Sequence, residues 1–184
     1  MPEKLRVFFG VPVDPGLQQQ ISGLLDVLPG SSRGVRWVAQ QNRHMTLAFL
    51  GDQPLAVVES LERAMDTVYL RENAFRSVFT RLTRFPDPAG NIVALVCAAD
   101  ERLARLFRMT QSLLAQHGLV PEYETFRPHI TLGRMRRGRS SLATIDQPTK
   151  LKLQVDRVTL YGSTLTRNGS VYETLAESVL GQNE

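Results

Sequence analysis

The chain has 184 residues, 42% of them hydrophobic and 22% charged, which suits one sizeable core and excludes a disordered polymer. A single cysteine, Cys97, excludes an internal disulfide framework, and a net charge of +4 gives only a mild bias toward anionic partners. No stretch approaches the roughly 18 apolar residues that read as a membrane span, and Met1 to Phe9 lacks a long apolar leader core, so a cytoplasmic protein is expected.

Leu5 to Val11 reads as a strand, and Asp14-Pro15 then starts a helix, with a cap followed by proline in the first turn. Leu17, Ile21, Leu24, Leu25 and Leu28 recur at helical spacing until Pro29-Gly30. Val35 to Val38 is a short strand, and His44 to Leu50 is another, closed by Gly51-Asp52. Pro54 opens a second helix whose apolar stripe is Val57, Val58, Leu61, Met65 and Val68. Phe75 to Phe85 and Ile92 to Cys97 form a hairpin, Asp100 caps a helix carrying Leu103, Leu106, Phe107, Leu113 and Leu114, and Gly118 ends it. After a strand at Pro128 to Gly133, Leu151 to Tyr161 and Val171 to Leu175 form a second hairpin around Arg167-Asn168-Gly169.

The order strand, helix, His-x-Thr strand occurs twice. His44-Met45-Thr46-Leu47 and His129-Ile130-Thr131-Leu132 lie 85 positions apart (44 to 129), and the same step back from Val93 lands on Phe8 in the first strand. Little residue identity accompanies the repeat, so it is a repeat of layout. The expectation is an α+β protein, residues 1–184 forming one bilobal domain of two pseudo-symmetric lobes, each with an antiparallel sheet and outer helices.

Side chains at i and i+2 of a strand share a face. Each motif therefore sets an imidazole beside a hydroxyl, while Met45, Leu47 and Phe49, or Ile130 and Leu132, turn toward a core. A lone His-x-Thr is readily explained as a structural histidine. Two of them in matched settings suggest a shared cleft. A phosphoryl centre needs one group to activate the attacking oxygen and one to protonate the leaving oxygen, and histidine can hold either state near neutrality. Thr46 and Thr131 can donate to the non-bridging oxygens. Strict alternation turns Arg134 away, and it can clamp the same phosphate if Gly133 allows a bulge or a strand end that re-aims it.

The other candidates carry less. Cys97 sits in an apolar run and reads as a small buried hydrophobe, and His117 as a helix C-terminal group. Arg137 and Arg139, beside Arg136 in the basic patch, read as a solvated loop. Phe126 suits base stacking or a core place equally. Zinc-ligand spacings, a glycine-rich dinucleotide fingerprint and a P-loop are absent, so no metal and no cofactor are expected.

The segments His44-Met45-Thr46-Leu47-Ala48-Phe49-Leu50-Gly51 and Arg127-Pro128-His129-Ile130-Thr131-Leu132-Gly133-Arg134 resemble the paired signatures of the 2H phosphoesterase superfamily. The flanking stretches Arg6-Val7-Phe8-Phe9, Val35-Arg36-Trp37-Val38, Leu160-Tyr161-Gly162-Ser163 and Tyr172-Glu173-Thr174-Leu175 are similar to its bacterial and archaeal RNA 2′,3′-cyclic phosphodiesterase branch, also called 2′-5′ RNA ligase. The resemblance implies a bilobal fold with both histidines in a central cleft and metal-independent hydrolysis of RNA 2′,3′-cyclic phosphate ends to 2′-phosphates. Reversible 2′-5′ ligation accompanies it in some members. It makes His44 the proton donor and His129 the proton acceptor, although the layout alone permits the reverse, with Thr46, Thr131 and Arg134 as phosphate ligands. The expected partner is RNA bearing a cyclic phosphate end, tRNA fragments included, with no membrane and a monomeric protein. The alternatives are a related activity on a small cyclic nucleotide, an ADP-ribose cyclic phosphate or a 2′-5′ linkage, and a non-catalytic module that holds RNA ends.

Overall fold

The computed structural model describes residues 3–28, 34–120, 125–135, 145–167 and 169–181. Strand β1 (Lys4–Pro12) leads into helix α1 (Pro15–Asp26), where the Asp14 carboxylate accepts from the Leu17 amide at 3.0 Å and Pro15 occupies the first turn. The expected helix end at Pro29-Gly30 lies outside the described residues. Strand β2 (Val35–Trp37) and a 3-10 turn (Gln40–Asn42) precede β3 (His44–Pro54) and α2 (Leu55–Val68). Then come β4 (Phe75–Phe85), β5 (Ile92–Cys97), α3 (Glu101–Gln116), β6 (His129–Met135), β7 (Asp146–Val155), β8 (Arg157–Thr166) and β9 (Gly169–Val179).

Among the described residues, nine strands form one sheet in the order β7-β4-β5-β6-β3-β1-β8-β9, with β2 added on β6 and every pairing between these strands antiparallel. The α+β, pseudo-symmetric arrangement is the expected one. The two half-sheets, β7-β4-β5-β6 and β3-β1-β8-β9, meet where Met45 opposes Ile130. Both His-x-Thr strands therefore lie side by side at the seam.

Three expectations need correction. The strand expected over Leu151 to Tyr161 is two strands, β7 on one outer edge and β8 in the other half-sheet, separated by Asp156 alone. The lobes are thus not the two halves of the chain. Apolar parity records the switch: Leu153 and Val155 are buried on one side of Asp156, and Val158 and Leu160 on the other. Second, β3 does not close at Gly51. Leu50 is the extra residue of a bulge opposite Val7 and Phe8, Gly51 takes φ +67°, and pairing resumes through Pro54. Third, by register Phe8 corresponds to Ile92 rather than Val93, since each opposes the residue three places beyond the motif threonine.

The helices cover the face away from the seam's polar side, burying Leu17, Ile21, Leu61, Met65, Leu103 and Leu114 among the inward residues of the sheet. Each such side chain contributes roughly 1.5–3 kcal/mol when fully buried. Helix α1 follows β1 yet packs on β7 of the opposite half-sheet, and α3 follows β5 yet packs on β3. The α1 cap strengthens its crossing to β7, and the α3 cap ties that helix to β4 beside β5. Asp14 also accepts from the Gln154 amide at 2.9 Å, and Asp100 caps α3 while accepting from the Ser77 hydroxyl at 2.7 Å. Among the described residues no helix is long and apolar enough to cross a membrane.

Candidate active site

Alternation along β3 and β6 buries Met45, Leu47, Ile130 and Leu132 and leaves His44, Thr46, His129 and Thr131 on the opposite face, half-buried. Each strand then breaks register at the same place. Thr46 and Ala48 oppose the consecutive residues Gly10 and Phe9, so Leu47 is an inserted residue. Thr131 and Gly133 oppose Ala94 and Val93, so Leu132 is its counterpart. A bulge reverses the parity of everything beyond it. Phe49 accordingly lines the cleft instead of facing the core as expected, and Arg134 joins the face of His129 and Thr131. The bulge that Arg134 requires is at Leu132, and Gly133 serves a different need. A Cβ there would stand 2.5 Å from Val35 Cγ1 and 2.8 Å from Trp37 Cε3, so its bare backbone is what lets β2 pack.

His44 Nδ1 lies 2.8 Å from the Asn42 carbonyl oxygen, and His129 Nδ1 lies 2.7 Å from that of Arg127. A carbonyl only accepts, so each Nδ1 carries the proton and each Nε2 is left to titrate. The His44 ring packs between aromatic neighbours, with ring centres 4.6 Å from Phe8 and 5.2 Å from Tyr172. His129 stacks on Phe85 at 3.9 Å. Burial pushes His44 down to about 4, the Asn42 hydrogen bond opposes this, and the charge of His129 adds to it. Burial also lowers His129, against the hydrogen bond to the Arg127 carbonyl and with the help of the Arg127 charge.

One cleft of about 920 Å³ is lined by His44, Thr46, His129, Thr131 and Arg134 together. A profile of the 2′-5′ RNA ligase superfamily matches residues 14–166. The chain belongs to that superfamily. It is 29% identical over 183 residues to the RNA 2′,3′-cyclic phosphodiesterase of Thermotoga maritima, covering 94% of each chain. It is 30% identical over 191 residues to the protein of that name from Escherichia coli K12, covering 99% of this chain and 100% of the relative. The crystal structure of E. coli LigT in apo form superposes with TM-score 0.80 at 25% identity, covering 98% of this chain and 100% of that one.

Several cleft residues of this 2′-5′ RNA ligase superfamily member escape the motif reading. Arg6, Phe8, Phe49, Phe85 and Tyr172 all line it. Phe49, three places past Thr46 as Arg134 is past Thr131, carried a positional signal, and Arg6, Phe8 and Tyr172 lie in the flanking stretches that carried the resemblance. Phe126 lines the cleft with its ring stacked on Phe107 at 4.7 Å. His117 is away from it, donating from Nδ1 to the Leu113 carbonyl (2.9 Å) and sharing a hydrogen bond between Nε2 and the Ser60 hydroxyl (3.1 Å), which ties the end of α3 to α2. Cys97 is half-buried, its thiol donates to the Val78 carbonyl at 3.1 Å, and burial pushes it up to about 11. A thiol so raised is a poor nucleophile. Arg136, Arg137 and Arg139 lie outside the described residues. Among the described residues no three of His, Cys, Asp and Glu gather into a metal-binding group.

Proposed function

We propose that the chain is an RNA 2′,3′-cyclic phosphodiesterase that hydrolyses the cyclic phosphate to a 2′-phosphate by paired histidine acid–base catalysis, without a metal. The observation that carries the reading is the convergence of two Nδ1-anchored imidazoles and two threonine hydroxyls, one pair from each half-sheet, on a single cleft. The relatives named for this reaction, matched over nearly the full chain, support it. Water attacks phosphorus and gives its proton to His129 Nε2. The bond from phosphorus to the 3′ oxygen breaks, and that oxygen takes the proton of His44 Nε2. Thr46, Thr131 and Arg134 hold the non-bridging oxygens as charge builds on them. RNA ends such as tRNA fragments are the proposed substrates, for a monomeric enzyme, and reversible 2′-5′ joining is the same displacement with a ribose hydroxyl in place of water.

The test is hydrolysis of an oligonucleotide ending in a 2′,3′-cyclic phosphate, with the product resolved as 2′- or 3′-phosphate. His44→Ala and His129→Ala should each lose about 10²–10⁴-fold in rate. Wild-type rate in either variant, a 3′-phosphate product, or loss of activity in EDTA overturns the reading. A substrate with sulfur at the departing 3′ position separates the roles, because a thiolate leaves without a proton. It should rescue His44→Ala and leave His129→Ala inactive.

A further inference from the structure

The two bulges make Phe49 and Arg134 positional equivalents, each three residues beyond a motif threonine and each turned into the cleft. One half-sheet therefore presents a guanidinium there and the other an aromatic ring. That ring carries a guanidinium of its own. Arg6, on the neighbouring strand β1, lays its Cζ 4.7 Å from the centre of the Phe49 ring, and Arg6 lines the cleft. It is half-buried. Strand register sets the exposed Asp52 opposite Arg6, yet the two form no ion pair and the guanidinium lies on Phe49 instead. No carboxylate lines the cleft among the described residues. A stacked guanidinium keeps its edge N–H groups free, and toward a cleft lining without acid they suit a phosphate.

Along β1, Arg6 is set back from the motif residues proposed to hold the reacting phosphate. Arg6 is four residues along β1 from Gly10, the register partner of Thr46, about 13 Å of strand. The cleft continues between them past Phe8 and Phe49, whose ring centres are 6.3 Å apart. We propose that Arg6 binds an internal phosphodiester of the RNA strand, within two linkages of the cyclic end, and so selects an oligonucleotide over a mononucleotide. The inference rests on the proposed phosphodiesterase reading and adds the length of substrate that it recognises.

The probes are a nucleoside 2′,3′-cyclic phosphate and a trinucleotide with the same end, the latter also carrying one neutral methylphosphonate at either internal linkage. The wild-type protein should prefer the charged trinucleotide and lose roughly 10–100-fold in kcat/KM when one particular linkage is neutral, the value of a charged hydrogen-bonded contact. Arg6→Gln should lower kcat/KM for the trinucleotide by that factor relative to the mononucleotide, and should no longer distinguish the neutral linkage from the charged one. The salt dependence of trinucleotide binding should also fall by about one counterion. Equal losses on mononucleotide and trinucleotide overturn the proposal, as does a wild-type protein indifferent to both neutral linkages. Calorimetric binding of the corresponding 2′-phosphate products makes the same comparisons without turnover. A protein that hydrolyses nothing but shows the Arg6-dependent linkage effect in binding thus sinks the enzymatic reading and spares this one.

Discussion

His44 directs its Nδ1 at the carbonyl oxygen of Asn42, the residue two places before it, at 2.8 Å. His129 repeats the relationship with Arg127 at 2.7 Å. In each case the backbone turning into the strand holds the ring in one tautomer, so that only Nε2 exchanges a proton with the cleft. The same enclosure that orients the rings removes water from them. Both imidazoles are consequently held below their ordinary range, His44 the further of the two.

The first consequence concerns rate against pH. Acid–base catalysis by the pair needs one ring charged and one neutral, whereas depressed values leave both neutral in the empty cleft at pH 7. The singly protonated form grows as pH falls; His129, the less depressed ring, takes most of that proton in the empty cleft, and the share carried by His44 grows in step with it. We expect kcat/KM on a cyclic-phosphate oligonucleotide to rise as pH is lowered from 8 toward 6, and inorganic phosphate to bind with proton uptake because its charge favours the imidazolium. A pH profile of kcat/KM, with phosphate calorimetry in buffers of different ionisation enthalpy, checks both. A flat profile with no proton uptake contradicts the electrostatics described.

Stability should follow the opposite sign. His44 is depressed in the folded chain, so the unfolded chain binds the extra proton between its ordinary value near 6.5 and about 4. The contribution is complete above the upper value and is lost as pH falls through that window, by up to a few kcal/mol, since each tenfold loss of proton affinity on folding corresponds to about 1.4 kcal/mol. Urea unfolding of wild type and His44→Gln from pH 7 to 4 measures it. The variant should lose less stability than wild type over that range, and equal slopes would assign the loss to other groups.

Gly133 offers a test of packing at the seam. Its substitution by Ala forces a methyl to within 2.5 Å of Val35 and 2.8 Å of Trp37, and β2 must yield. Overpacking of this kind costs about 1–3 kcal/mol. Because β2 pairs with β6 across Gly133 and Arg134, the displacement also reaches the cleft. Gly133→Ala should lower the midpoint of urea unfolding and weaken inorganic phosphate binding together. A variant that keeps both values would show that β2 adapts freely.

The motifs were legible because strand alternation is local: His44 and Thr46 share a face whatever the rest of the chain does, and so do His129 and Thr131. The helix starts were legible for the same reason, since Asp14 and Asp100 cap within three residues. What stayed hidden depends on partners remote in sequence. The fate of Phe49 turns on where β1 drops Leu47 from its ladder, and the approach of Arg6 to Phe49 on the strand pairing itself. The split at Asp156 is intermediate. The change of apolar parity between Val155 and Val158 was visible, but without the sheet order it could not reveal that the two strands part company.

Arg134 reaches the cleft only through the Leu132 bulge, so its contribution can be separated from its position. Arg134→Met removes the charge and keeps the stem, while Arg134→Lys keeps the charge but loses the planar fork. If the fork clamps the non-bridging oxygens, kcat/KM should fall roughly 10–100-fold for Met and by less for Lys. The loss belongs in KM and in the affinity for inorganic phosphate when the contact is equal in the bound and transition states, and in kcat when it tightens as charge develops. Both variants should unfold at the wild-type urea concentration, because the side chain is exposed. Full activity in Arg134→Met would remove the arginine from the phosphate site and leave the two threonines and the Nε2 protons to hold the anion alone.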